Sequence, residues 1–309
     1  MKTKKLSFFI TVMAVVCILA CSKENSIRSD KAANAASPAT ASNAVAGICD
    51  QFAYSDTIFY PAELPNDYII HLNTPLSGSF GTYPDGLEMN PLNGDIDITE
   101  SETGLKYLIW YVPAGTHDTC KKFLTVAGIN FTDSIYTLKN NPGVATPMYN
   151  ATPLLPTDCN GGCEFDDGHD DDDGDGFADE PPLGQEVIPQ GISMDKTSGS
   201  INLRQSIKNG ALGPSPTAGT VKDFVLNYRI SDRSSKALNN TTLRIYYYKN
   251  QSQIPAKLKR DLATKKQQIL LNNVTDPAKV SYTVNTTVTA KNGAGEVKCR
   301  PPYIIVVQQ

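Results

Sequence analysis

Residues 86–101 read GLEMNPLNGDIDITES, and residues 191–206 read GISMDKTSGSINLRQS. Aligned end to end, the two stretches share Gly86/Gly191, Met89/Met194, Gly94/Gly199, Ile96/Ile201 and Ser101/Ser206, and they exchange like for like at Leu87/Ile192 and Ile98/Leu203. Leu87 and Met89 alternate with polar residues, as a half-buried strand requires. Asn90-Pro91-Leu92-Asn93-Gly94 is turn chemistry, with Asn and Gly available for positive φ. Ile96 and Ile98 then restart the alternation. Each copy therefore reads as strand, turn, strand, and the fold class follows as all-β.

The pattern L-x-I-[DN]-x-x-T-G-x-I resembles the signature of cadherin-like and immunoglobulin-like bacterial surface domains. The resemblance implies two tandem Greek-key β-sandwiches of the immunoglobulin type. Their bounds are expected at 49–138 and 185–309, with a linker over 139–184. Expected strands in the first are 57–60, 68–72, 105–112, 123–131 and 134–138. In the second they are 201–203, 224–230, 243–248, 280–289 and 303–307. Trp110, the one tryptophan, is expected in the core. Tyr246 and Tyr248 should share one sheet face and Tyr247 the other, with at least one of the three exposed. One short helix is expected to open at Pro255, with Leu258, Leu262 and Ile269 on its apolar face and a solvated basic remainder.

Outward from the repeats, the N-terminus reads as targeting. Lys2, Lys4 and Lys5 precede an apolar stretch over 6–20 that is short for a membrane span. Ile18-Leu19-Ala20-Cys21 resembles the lipobox of bacterial lipoproteins. That resemblance implies a signal peptide over 1–20, lipidation of Cys21 and stable membrane anchoring through two or three acyl chains. Ser22-Lys23-Glu24 resembles a short export tag for the outer face of the outer membrane. Residues 21–48 form a flexible tether. Outer-membrane, surface-exposed localisation is the expectation. Of the remaining cysteines, Cys49 with Cys120 would staple the first sandwich, and Cys159 with Cys163 would close a small loop. A zinc site is the competing use of the second pair.

Between the copies lies residues 164–180, EFDDGHDDDDGDGFADE. From 158 to 180 there are 11 acidic and no basic residues. Asp171, Asp173 and Asp175 at alternate positions, Gly176, Phe177 and Asp179 resemble the DxDxDGxxD calcium loops of thrombospondin type 3 repeats. Pro182 stands where an EF-hand has its bidentate Glu. The resemblance implies Ca²⁺ held by the carboxylates of Asp171, Asp173, Asp175 and Asp179 and the carbonyl of Phe177. Calcium there is expected to stiffen the linker.

Charge divides along the chain. Residues 49–138 hold 3 basic and 12 acidic residues, and residues 185–309 hold 18 basic and 7 acidic. The basic half suits an anionic surface glycan or protein partner, or the acidic half itself. No motif points to nucleic acid. Hydrolase and phosphate-loop signatures (GxSxG, HExxH) are missing from the sequence, and Ser193-Met194-Asp195-Lys196 falls in a repeat turn. The expectation is a non-catalytic surface lipoprotein for adhesion, glycan binding or scaffolding. The alternative is a carbohydrate-active or other hydrolytic accessory protein.

Overall fold

The repeats fold alike, down to individual hydrogen bonds. In a computed structural model, Met89 pairs antiparallel with Ile96 and Met194 with Ile201. The amide of Asn90 donates to the Asp95 carbonyl at 2.8 Å, and that of Asp195 to the Ser200 carbonyl at 3.0 Å. Gly94 donates to Asn90 O and Gly199 to Asp195 O, with φ of 77° and 67°. The Asn90 and Asp195 side chains each accept a backbone N–H two residues on, both at 2.9 Å. Ser101 Oγ accepts from Glu88 N and donates to Asp97 O; Ser206 Oγ accepts from Ser193 N and donates to Asn202 O. The structure describes residues 42–62, 64, 66–139, 142–150, 162–166, 186–269, 275–280 and 301–309. Pro38–Gln309 forms one compact unit.

The chain is all-β, with few helices. Helix α1 (Ser42–Gln51) leads into the first half and is tied by the Cys49–Cys120 disulfide to strand β7. There β1 (Ile58–Phe59), β7 (Cys120–Val126), β6 (Leu105–Pro113) and β3 (Gly78–Tyr83) form a sheet in that order. A second sheet is ordered β2 (Ile69–Ile70), β5 (Ile96–Asp97), β4 (Glu88–Met89). Phe52, Ile70, Phe80, Ile96, Tyr107, Ile109, Tyr111 and Leu124 share the core between them, a two-layer sandwich. Strand β6 is apolar on both faces because both are covered: Leu108 packs outward against Val280. Trp110 is 3 % exposed, as expected, and lies across from Gly81, where a Cβ would collide with its indole at 2.1 Å.

The expected strand over 123–131 breaks at Gly128, whose φ is +130°. Beyond the break the chain belongs to a second core. Strand β8 (Ile129–Phe131) pairs with β11 (Pro147–Tyr149), and β10 (Val144–Ala145) with β13 (Ile201–Asn202). They face a five-stranded sheet ordered β12 (Glu164–Phe165), β14 (Thr220–Arg229), β15 (Asn239–Tyr248), β16 (Tyr303–Val307), β9 (Ser134–Thr137). Residues 134–137 therefore lie in this sheet, parallel to β16, although the sequence assigns them to the first sandwich. Leu203, expected in a strand, instead begins helix α2 (Leu203–Lys208), because the Asn202 side chain accepts from Gln205 N and caps it.

The expected helix is α3 (Ala256–Ile269), with the Pro255 carbonyl accepting from Lys259 N. Tyr247 points into the second core, while Tyr246 and Tyr248 face the other way. None of the three is exposed. Ile254 and the α3 residues Leu258 and Leu262 cover the face that carries Tyr248, Ile305 and Val307. The second half thus has a helix layer that a bare sandwich lacks, and that layer removes the exposed tyrosine expected from alternation. Residues 1–41, with Cys21, the tether up to 41, and the strand expected over 281–289 lie outside the described residues; the rest of the expected tether, 42–48, is instead helical, as part of α1. Among the described residues no helix is long and apolar enough to cross a membrane.

Candidate functional site: the base of the acidic run

The calcium residues expected from sequence, Asp171, Asp173, Asp175, Phe177 and Asp179, lie outside the described residues, as does Cys159. What the structure gives is the base from which that run departs and to which it returns. Glu164 and Phe165 pair antiparallel with Arg229 and Tyr228. Phe165 is fully buried and stacks on Tyr228 with ring centroids 6.2 Å apart. Its amide donates to Lys196 O in the turn of the second repeat copy, and its ring lies against Gly199.

The first half contains the same arrangement. Phe80 pairs with Tyr111, stacks on it at 4.8 Å, donates its amide to Pro91 O and lies against Gly94. Phe80 and Phe165 are thus corresponding positions ahead of corresponding turns. In the first half the aromatic strand reaches its repeat through residues 81–85. In the second half the same connection runs from 166 to 190 and holds the whole acidic run. The run leaves β12 and returns to a turn of the same second core. It is an insertion within one half, placed differently from the inter-domain linker that the sequence suggests.

Asp166 closes the base. Its φ is +57°, a left-handed position that turns the chain away from the sheet. Its amide donates to Asn227 O at 2.9 Å. Its carboxylate accepts from Val187 N at 2.5 Å and Ile188 N at 2.8 Å, so one side chain grips the returning end. The residue is 1 % exposed, and burial raises its carboxyl above the ordinary carboxylate range against the opposing pull of those two N–H donors. Nothing in the sequence singled Asp166 out among the seven other aspartates of the run. The apolar Phe165 before it was the one available sign that the fold still held the chain there. Cys163 is buried and disulfide-bonded; Cys159 and Cys299 are the cysteines beyond Cys21 outside the described residues. A Lys236–Glu164 ion pair at 3.6 Å lies at the surface and adds little.

Elsewhere, His71 Nδ1 meets Asp95 Oδ1 at 2.7 Å beside the first repeat turn, and His117 is exposed between β6 and β7. Among the described residues no three His, Cys, Asp or Glu side chains converge on a metal-sized space.

No family model matches the chain, and no curated protein matches it. Among solved structures it is similar to the EC1-2 segment of human protocadherin-24. In one crystal structure the identity is 10 %, with 62 % of this chain and 93 % of that one covered at a TM-score of 0.20; in a second form the values are 8 %, 61 %, 92 % and 0.18. It is also similar to extracellular domains 3–5 of Drosophila OTK, at 11 % identity, 63 % and 60 % coverage and a TM-score of 0.17. At these scores the similarity carries no inference about what this chain does.

Proposed function

We propose that this chain is a non-catalytic lipoprotein of the outer membrane, anchored through Cys21, that serves in adhesion, glycan binding or scaffolding at the cell surface. The observation that supports it best is the way its two β halves are joined. Tyr228 of the second core is hydrogen-bonded across the seam to Thr103, next to β6 of the first half, and Asn130 of β8 donates to Glu102 Oε1 and Thr103 O on the same side. A body braced in this way presents its surfaces in fixed relation, so little ordering entropy is lost when a partner binds.

The acidic run is the second element of the reading. Four carboxylates and a backbone carbonyl form an all-oxygen donor set, which suits a hard divalent cation such as Ca²⁺. The Asp166 clamp fixes both ends of the run to one half, so calcium in it would order the segment between Asp166 and Val187.

Limited proteolysis of the whole chain tests the calcium element. Cleavage between Cys163 and Gln185 should slow in calcium relative to chelator, and Asp173→Asn with Asp175→Asn should abolish the difference. Equal rates for the parent protein reject it. Replacing Cys21 by Ser should move the protein from the membrane fraction to the soluble fraction, and unchanged fractionation rejects the lipid anchor.

A further inference from the structure

The two halves differ at one strand edge. In the first half β3 goes on past Phe80, and Gly81, Thr82 and Tyr83 pair with Trp110, Ile109 and Leu108 of β6. In the second half the corresponding strand, β12, pairs only with Tyr228 and Arg229, and Asp166 then turns the chain away. The rest of β14 has β15 on one side, and among the described residues no strand pairs with it on the other.

Two hydrogen bonds fix the direction of the open backbone groups. Asn227 O faces β12, because it accepts from Asp166 N at 2.9 Å. Arg244 N faces β16, because it donates to Pro302 O at 3.2 Å, so Arg244 and Asp223 lie opposite each other without sharing a backbone bond. In an antiparallel ladder the N–H and C=O of one residue point the same way, and the direction alternates along the strand. Both groups of Val221, Asp223 and Val225 therefore point outward from the sheet edge, and all three residues are exposed. The open window ends at Asn227, engaged by Asp166, and at Gly219, whose amide donates to Tyr247 O and whose φ is 90°. Asp223 stands at its centre.

An unpaired edge is a template for another strand, and its side chains decide which strand fits. Val221, Asp223 and Val225 share one face, with Val221 50 % and Val225 38 % exposed. The Asp223 carboxylate accepts from Arg244 Nε at 2.8 Å and Nη2 at 2.7 Å, so its charge is met within its own sheet. Lys222, on the opposite face, lies over the Phe224 ring at 4.4 Å and donates to Ala211 O at 3.3 Å, which draws its charge back from the edge.

The window is self-complementary about Asp223. Laid antiparallel on a second copy with a two-fold axis at Asp223, Val221 falls opposite Val225 of the second copy, and every open N–H meets an open C=O. The two Asp223 side chains flank the axis, each held by its own Arg244. The chain turns out of the ladder at Gly219 in one copy and at Asp166 in the other, so the pairing stops where the open groups do. We propose that this chain forms a two-fold homodimer through residues 221–225 of β14, joining the two five-stranded sheets into one.

Sedimentation equilibrium of the full chain over a wide concentration range tests it, and a concentration-dependent dimer is expected. Val221→Lys with Val225→Lys sets like charges opposite each other on both sides of the axis and should weaken the dimer by about tenfold or more. Val221→Lys with Val225→Glu sets opposite charges there and should keep the dimer within about threefold of the parent. Val221→Pro removes an edge-facing N–H that the monomer does not use, and should dissociate the dimer with the circular dichroism spectrum unchanged. Leu92→Lys, on the first repeat turn, should leave the dimer intact. Equal weakening by the two charged double variants overturns the assignment. A parent that stays monomeric at every concentration also overturns it, and leaves the edge to a strand of another protein.

Discussion

The hydroxyl of Tyr228 lies 2.7 Å from the hydroxyl of Thr103, joining two residues 125 apart in sequence at the seam between the halves. The same phenol oxygen accepts from Ile129 N at 3.2 Å. Tyr228 is wholly buried, and burial raises its pKa, so it stays a neutral phenol that both donates and accepts. Beside it, Asn130 donates to Glu102 Oε1 at 3.0 Å and to Thr103 O at 3.1 Å. A seam of this kind holds one orientation, because each polar group left without its partner would be buried without water.

Replacing Tyr228 by Phe keeps the ring and its stacking on Phe165 but strips the hydroxyl. The Ile129 amide then loses its acceptor in a dry site, and an unsatisfied buried donor costs about 1–3 kcal/mol. Chemical denaturation should show a loss of that size. Added proteolytic sensitivity near Gly128, where β7 gives way to β8, is expected with it. Unchanged stability would mean that water takes over the hydroxyl's role.

Asp166 offers a sharper contrast between substitutions. Alanine there abandons two backbone donors at the base of the acidic run and should cost about 2–6 kcal/mol, taking each orphaned N–H at about 1–3 kcal/mol. Asparagine keeps an acceptor for one of them and should cost less than half as much. Both variants should be cut faster between Val187 and Gln190, with alanine the faster. Equal effects from the two substitutions would show that the clamp is not the carboxylate.

Glu88 governs a pH effect. Partial burial raises its carboxyl above the ordinary value, and the carboxylates of Asp97 and Glu100 push in the same direction. With its pKa higher folded than unfolded, the contribution to stability is complete below the unfolded value. It is lost as pH rises through the raised folded value. Glu88→Gln should therefore melt at a higher temperature than the parent at pH 7, with the difference closing towards pH 3.5. A difference that persists at pH 3.5 would point to packing of the side chain.

Some of this was legible because it is written locally. The repeat turns depend on Asn90, Gly94, Asp195 and Gly199, whose side chains or backbones act on residues two to four positions away. Leu258 and Leu262 on the buried face of α3 follow from helical period in the same way. Sheet order does not. Nothing near Ser134 says that it will pair with Ile304, or that β15 and β16 will run parallel. The Tyr246–Tyr248 alternation was readable, but which element covers the outer face depends on where α3 docks. The place of the acidic run was hidden for another reason. The match between Phe80 and Phe165 is interrupted by the run itself, so the alignment of the copies stops short of the residue that would have put the run inside the second half.

The two copies allow a controlled comparison at their turn glycines. Gly94 and Gly199 both have left-handed φ, so alanine at either should cost about 1–2 kcal/mol from backbone strain alone. The copies then differ in what the new methyl meets. At Gly94 it comes to 3.0 Å from the Phe80 ring, a tight contact that a small ring shift can relieve. At Gly199 it comes to 2.6 Å from the Phe165 ring, buried like Phe80, so that ring has to move further to clear the methyl. Gly199→Ala should therefore destabilise more than Gly94→Ala, by a further 1–3 kcal/mol or about that, the usual cost of overpacking a filled core. Urea unfolding of the two single variants checks it. If Gly94→Ala proves equal or worse, the aromatic strand ahead of the acidic run is held less firmly than its counterpart, and the base of the run would be the softer of the two turns.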